Sequence, residues 1–169
     1  MKEEVRNLVF ALLSIRTIKP TQAHSEPVRT MEIARKDQFI LMRLDHGEDV
    51  LESIKGSMKE ERSTMLIVTG LGMISDFELG YFDQGNYIIN SYTEPHELLA
   101  LQGSISTEGE PRIHIHATVA NKRHEVYGGH LMRGKVWMSN EIGLVRLERV
   151  ISVRVMDPAK KVGILHIKK

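Results

Sequence analysis

The sequence predicts a single α+β domain with a largely antiparallel sheet and one main helix. Short apolar or alternating segments recur along the chain and are separated by turn-forming residues, which is typical of strands. Only one segment, directly after Gly47, places apolar residues at the spacing of an amphipathic helix. A length of 169 residues suits one domain with a core of its own. These observations favour strands in sequence with a single helix packed on them.

The first thirty residues differ from the rest of the chain. An apolar block at residues 8–15 is followed by a polar stretch that contains Pro20 and Pro27. A signal peptide is one interpretation, although acidic residues near the start weaken it. A short, loosely attached helix with a linker is the second, and an upstream extension before a start at Met31 is the third. We therefore expect an extension at residues 1–30 and one domain at residues 31–169.

The first half of the domain predicts a strand, the helix and a second strand. Residues 39–42 form an apolar strand, residues 45–47 a turn, and Asp49 opens the helix, where acidic residues suit the positive end of the dipole. The apolar stripe of the helix consists of Val50, Leu51, Ile54 and Met58. Residues 65–68 form a continuous apolar run, which predicts a strand buried on both faces. Gly70 and Gly72 then predict a tight turn, because the spacing of a nucleotide-binding loop is missing.

The second half predicts more strands and hairpins. Residues 77–81 alternate as a half-exposed strand, and residues 83–86 form a hairpin turn. Further strands are predicted at residues 87–92, 98–101, 112–119, 130–132, 135–138, 141–151 and 162–167, with turns at residues 121–125 and 157–158. The strand at 141–151 has mixed spacing and predicts an irregularity near Gly143. The final strand is expected at an edge of the sheet.

Residues 112–119 carry the chemistry that can be read from the sequence. Apolar residues alternate there with Arg112, His114, His116 and Thr118, so the two histidines lie on one face of a strand. Their backbones are about 7 Å apart, so their ring nitrogens can converge on one small cation. His130 follows Gly128 and Gly129, whose lack of side chains lets backbones approach closely. The pattern predicts a divalent metal site; the alternative is a polar strand face in solvent or at an interface.

Composition limits the chemistry of such a site. The chain has no cysteine, so thiolate metal sites and disulfides are excluded. Three neutral imidazoles suit zinc or a similar ion and leave a fourth position open. His96, Glu97 and Arg112 are candidate neighbours of the site, and Arg112 could bind an anion near the metal or pair with a carboxylate such as Glu110. No nucleophile with an adjacent base is recognisable, which favours a binding module over an enzyme.

Several stretches together resemble a known family, the plants-and-prokaryotes-conserved (PPC) domain. They are residues 39–49, 68–72, 94–105, 111–117 and 128–131. The likeness spans roughly residues 31 to 165 and is closest to prokaryotic single-domain members. The resemblance implies an α+β fold that assembles as a homotrimer, a metal held through the histidine segment, and association with DNA or transcription-related proteins. No minor-groove hook of the kind found in plant members is present, and Pro95 and His96 depart from the plant partner-contact pattern.

Two functional hypotheses follow. The first is a homotrimeric, metal-holding module that binds DNA or a transcription partner. The net charge of +1 gives no overall basic footprint, so contact with DNA would need trimerisation to align basic residues. The candidates for that contact are Lys122, Arg123, Arg133 and Lys135. The second hypothesis is a metal-dependent enzyme or small-ligand-binding protein that uses the open metal position. No apolar run is long enough to cross a bilayer, and we expect a cytoplasmic protein without a membrane partner.

Overall fold

A computed structural model of the chain describes residues 30–58, 62–110 and 112–168. The strands of the first half are β1 (Glu32–Lys36), β2 (Phe39–Asp45), β3 (Thr64–Asp83), β4 (Asn86–Tyr92) and β5 (His96–Ile105). Those of the second half are β6 (Glu108–Gly109), β7 (Ile113–Ala120), β8 (Val126–Leu147), β9 (Ile151–Asp157) and β10 (Val162–Lys168). The described helix is α1 (Val50–Ser57). The predicted extension lies, except for Thr30, outside the described residues.

The strands form two sheets. Seven of them make a sheet in the order β1-β2-β8-β7-β5-β3-β4, with antiparallel pairing throughout. A further pairing of β3 with β8 closes a ring of β8, β7, β5 and β3. The second sheet has the order β10-β9-β6, in which β6 and β9 are parallel. This architecture confirms the predicted α+β class with a mostly antiparallel sheet.

The helix begins where the acidic residues predicted it. The side chain of Asp49 caps α1 by accepting a hydrogen bond from the backbone N–H of Glu52 at 2.9 Å. Val50 and Ile54 are fully buried in the core, as the helical spacing predicted. The segment before the helix is fastened to β8, since Gly47 N–H donates to the carbonyl of Val136 and Val136 N–H donates to that of Glu48. No described helix is long and apolar enough to traverse a lipid bilayer.

The glycine turn predicted at residues 69–72 is wrong. The strand β3 continues through it to Asp83, and Gly72 instead permits a close backbone approach. Its φ is +134°, and a Cβ there would lie 2.2 Å from the carbonyl oxygen of Ser139 on β8. The predicted burial of residues 65–68 on both faces is also wrong, because Leu66 and Val68 are 37% and 46% exposed. One face of this strand is therefore apolar and exposed.

Three strands were absent from the prediction, namely β1, the two-residue β6, and β9. The sequence of β1 is rich in charge, and most of its side chains are exposed at the sheet edge. In β9 the usual pattern is reversed, since Ser152 and Arg154 are buried whereas Val155 and Met156 are exposed. The strand predicted at residues 141–151 is interrupted in the structure. Its first part is the end of β8, which stops at Leu147, and a turn then leads into β9. A polar side therefore faces inward from the C-terminal hairpin of β9 and β10.

Candidate metal centre

The strand β7 places two histidines on one face because its residues alternate strictly. Its apolar members Ile113, Ile115, Ala117 and Val119 are buried in the core, as predicted. His114 and His116 consequently lie on the opposite face, where His114 is half-buried and His116 is exposed. Burial of the apolar face fixes which way both imidazoles point.

The neighbouring strand β8 supplies the third histidine. His130 lies directly opposite His116 in the antiparallel register. The close approach predicted for the two preceding glycines is present: a Cβ on Gly128 would lie 2.6 Å from the carbonyl oxygen of Ala117. A Cβ on Gly129 would lie 2.9 Å from the carbonyl oxygen of Gly80 on β3. His130 is thus held where β7, β8 and β3 pack closely.

The three rings meet at one place. One nitrogen of each of His114, His116 and His130 lies within 4.8 Å of the others. The Nε2 atoms of His114 and His116 are 3.1 Å apart. In a tetrahedral zinc site with bonds of about 2.0 Å, ligand nitrogens are about 3.3 Å apart. The geometry therefore needs only small side-chain adjustments to hold a divalent ion.

The donor chemistry also fits a metal. Nδ1 of His130 is buried and has no hydrogen-bond partner among the described residues, which a native imidazole rarely tolerates. Burial, together with the charges of His114, His116 and Arg154, lowers the pKa of His130 to about 4. Burial and the neighbouring Arg154 also lower the pKa of His114. Neutral imidazoles are the form that binds metal.

The lowered pKa of His130 makes the metal-free protein acid-sensitive. At neutral pH this imidazole is neutral whether the chain is folded or unfolded. Its protonation therefore does not affect the free energy of unfolding there. Between about pH 6.5 and 4, His130 is protonated in the unfolded chain but stays neutral in the folded protein. We expect the free energy of unfolding, measured in urea without metal, to fall across this window. A His130→Gln variant is expected to give a flatter profile, and an equally steep one would contradict the assignment.

Two predicted neighbours lie away from the three histidines. His96 is buried among aromatic rings, where Nδ1 contacts the carbonyl oxygen of Glu94 at 2.8 Å and Nε2 contacts Tyr127 Oη at 2.5 Å. Both of its nitrogens are therefore engaged. Glu97 pairs with Ala120, whereas His116 pairs with Gln102 on the same strand. Five residues of β5 separate the two positions, roughly 16 Å in an extended strand, so Glu97 does not reach the centre.

Arg112 lies near the centre but makes a different contact. Its Nε donates to the carbonyl oxygen of Ser106 at 3.1 Å. It lines a cavity of about 890 Å³ that also reaches His130. The structure therefore brings Arg112 to the same cavity as the site without bringing it against the three rings.

The four basic residues proposed for DNA contact do not form one cluster. Lys122 and Arg123 lie in the turn between β7 and β8, and the guanidinium of Arg123 pairs with Glu125 at 2.8 Å. Arg133 and Lys135 lie well along β8, where Arg133 pairs with Glu78 at 2.9 Å. Within a single chain these cations form two separate pairs.

The centre also includes a residue that the sequence analysis missed. Arg154 of β9 lines a cavity of about 500 Å³ together with His114, His116 and His130. The strand β10 also lines this cavity, through Val162, Gly163 and Ile164. Arg154 could have been suspected from the alternation of Ser152 and Arg154 with apolar residues. That pattern gave no hint that the polar side faces inward.

Comparison with known proteins places the fold and the site in context. A protein of Pyrococcus horikoshii described as a plant- and prokaryote-conserved (PPC) protein is 26% identical and superposes with a TM-score of 0.68, over 85% of this chain and 99% of that one. A metal-containing protein of Archaeoglobus fulgidus is 27% identical, with a TM-score of 0.67 over 82% of this chain and 98% of that one. A Ralstonia eutropha protein named "putative DNA-binding protein" is 24% identical, with a TM-score of 0.71 over 80% and 96% of the two chains.

A curated sequence relative is much longer than this chain. It is the bifunctional protein GlmU of a Synechococcus strain, 28% identical over 158 residues. The match covers 92% of this chain but 23% of that protein, so the chain spans about a quarter of its length. The family model of the Plants and Prokaryotes Conserved (PCC) domain matches residues 31–148. The resemblance noted from the sequence is thereby confirmed, and the chain belongs to the Plants and Prokaryotes Conserved domain family.

Proposed function

We propose that this chain is a homotrimeric metal-binding module of its family, which holds zinc or a similar divalent ion through His114, His116 and His130. The observation that carries the proposal is the convergence of one nitrogen from each ring within 4.8 Å. The Archaeoglobus protein, 27% identical, is named as metal-containing, which supports the same role here. A fourth position on the ion would stay open to a ligand.

The residues around the centre favour binding over catalysis. A zinc ion with an open position polarises a bound group or lowers the pKa of bound water. The chain itself orients the three imidazoles through the β7–β8 register and shields His130 from solvent. Among the described residues that line the cavity of the centre there is no Asp or Glu to act as a general base. A metal-dependent enzyme is therefore the second choice.

An exposed apolar patch on the seven-stranded sheet supports the proposed trimer. Phe39 and Leu41 of β2 are each 57% exposed. Phe39 and Leu66 both lie opposite Val145 of β8, so side chains of three adjacent strands form one row. Val68 continues the same face along β3. An exposed patch of this kind is typical of a surface that another subunit covers.

Two measurements on one sample of the untagged protein test metal binding and assembly together. Elemental analysis is expected to find one divalent ion per chain. Light scattering on the same sample is expected to give three times the 19.2 kDa of one chain. A protein without stoichiometric metal would refute the metal role, and a monomeric mass would refute the trimer.

DNA association is a candidate role for the binding module. It is favoured by the exposed Lys122 and Lys135, which a trimer would present three times each, and by the name of the Ralstonia protein. Two of the four basic residues are already paired with carboxylates, so we expect binding that is weak and strongly salt-dependent. A duplex-DNA mobility shift at low salt that disappears as salt is raised would support it. Absence of any shift at low salt would restrict the partner to protein or small molecule.

A further inference from the structure

The C-terminal hairpin brings a buried guanidinium to the metal centre. Arg154 is 5% exposed, with Nη2 donating to Ser104 Oγ at 2.9 Å and Nη1 donating to the carbonyl oxygen of Gly163 at 3.3 Å. Both acceptors are neutral. Ser104 lies directly opposite His114 in the β5–β7 register, so side chains at these positions are neighbours on one face. The charge of Arg154 therefore lies beside the histidine cluster.

The centre has positive charge without a matching anion. Within the described part of the chain, no carboxylate forms an ion pair with Arg154, and no Asp or Glu lines the cavity that it shares with the histidines. Its Nε is buried without a hydrogen-bond partner. A divalent ion on three neutral imidazoles would add to this charge. Buried charges are almost always paired, and here the missing partner is negative.

We propose that Arg154 and the open position of the metal together bind the anionic oxygen group of a small organic ligand, either a carboxylate or a phosphate monoester. The inference rests on the proposed metal function and names the ligand class of the same site. The planar guanidinium presents a fork of donors that matches either group. Arg154 lies beyond residue 148, where the match to the family model ends, so this feature belongs to the C-terminal hairpin.

The body of the ligand has a place next to the centre. The cavity of about 890 Å³ shares His130 with the smaller cavity of the metal centre, as well as Tyr87, Val162 and Gly163. Its walls include the apolar side chains of Leu51, Met58, Ile105, Leu131 and Met132. A volume of this size suits a small molecule. An anionic head at Arg154 with an apolar body against these walls fits both cavities.

Cobalt-loaded protein tests the proposal without an activity assay. Cobalt(II) at the three histidines gives a visible spectrum that changes when an anion enters the open position. Benzoate and phenyl phosphate share one aromatic body, so their titrations separate carboxylate from phosphate recognition. We expect saturable binding of at least one of them, weakened about tenfold or more in Arg154→Gln protein that keeps its cobalt. Arg35→Gln, on the exposed edge strand β1, is the matched control and is expected to bind as the wild type does.

Each outcome decides between the two proposals. Two results at full cobalt content would overturn the anion site and leave the metal site standing. One is equal anion affinity in the wild type and in Arg154→Gln, and the other is the absence of saturable anion binding in the wild type. Failure to take up cobalt at all refutes the metal function itself. If Arg154→Gln does not fold, Arg154→Lys decides, because it keeps the charge but loses the fork. Weaker anion binding in that variant supports the proposal, and unchanged binding overturns it.

Discussion

Replacing His130 by Ala is expected to lower zinc affinity by about 100-fold or more. Mutation of a residue that only orients a metal ligand already lowers metal affinity by up to that factor. His130 is held in place by close strand packing, because Gly128 and Gly129 bring its strand against two others. The folded structure should persist, because the lost ring is half-buried and stands on the face of the sheet away from the core. Zinc titration by calorimetry and elemental analysis after dialysis would measure the loss. His114→Ala is expected to behave in the same way.

The matched control is His124→Asn. His124 lies in the turn between β7 and β8 with φ of +62°, a conformation that Asn tolerates better than most residues. This variant is expected to keep the zinc content of the wild type. If His130→Ala kept the zinc affinity of the wild type, the ion would be held elsewhere. The same conclusion would follow if His124→Asn lost as much zinc as His130→Ala.

Replacing Gly103 by Ala is expected to destabilise the fold by about 3 kcal/mol and to weaken the metal site together with it. A Cβ at this position would lie 2.2 Å from the carbonyl oxygen of His114 and 3.0 Å from Cα of Ile115. Backbone atoms cannot yield as a flexible side chain can, so β5 and β7 must separate where His114 is positioned. Urea unfolding would measure the stability, and zinc titration of the folded variant would measure the displacement of His114.

The same substitution in the helix serves as the control. Gly56 lies within α1, and nothing is within 4 Å of a Cβ there. Ala is the better helix former, so Gly56→Ala is expected to raise the free energy of unfolding by about 0.5–1 kcal/mol. Opposite signs at the two glycines would show that close packing at Gly103 is responsible. A neutral Gly103→Ala would mean that β5 and β7 are not packed as described.

The centre was predictable where local periodicity decides the structure. Strict alternation along β7 places His114 and His116 on the same face without information from other parts of the chain. The apolar residues that alternate with these histidines are buried on the other face in any antiparallel sheet. The glycines before His130 indicated a close approach, which the register of β7 with β8 confirms. These features together specify the three-histidine cluster.

The rest of the centre depends on contacts between distant parts of the chain. Arg154 reaches Ser104 from fifty residues away, and no local pattern records that pairing. The glycines at 70 and 72 look like a turn by composition, yet they serve close packing of β3 against Leu101 and β8. Sequence alone cannot tell these uses of glycine apart, because both need the absence of a side chain. Likewise Glu97 and His96 were chosen for residue type, and strand register separates Glu97 from the centre.

X-ray absorption at the zinc edge of the purified, zinc-loaded protein, paired with the same measurement on His130→Ala, tests the three-histidine centre most directly. The wild type is expected to show three imidazole nitrogens at about 2.0 Å and one exchangeable oxygen ligand. The variant is expected to lose one imidazole from that shell or to hold no zinc. A zinc shell with fewer than three imidazoles in the wild type, or a shell unchanged by the substitution, would contradict the assignment.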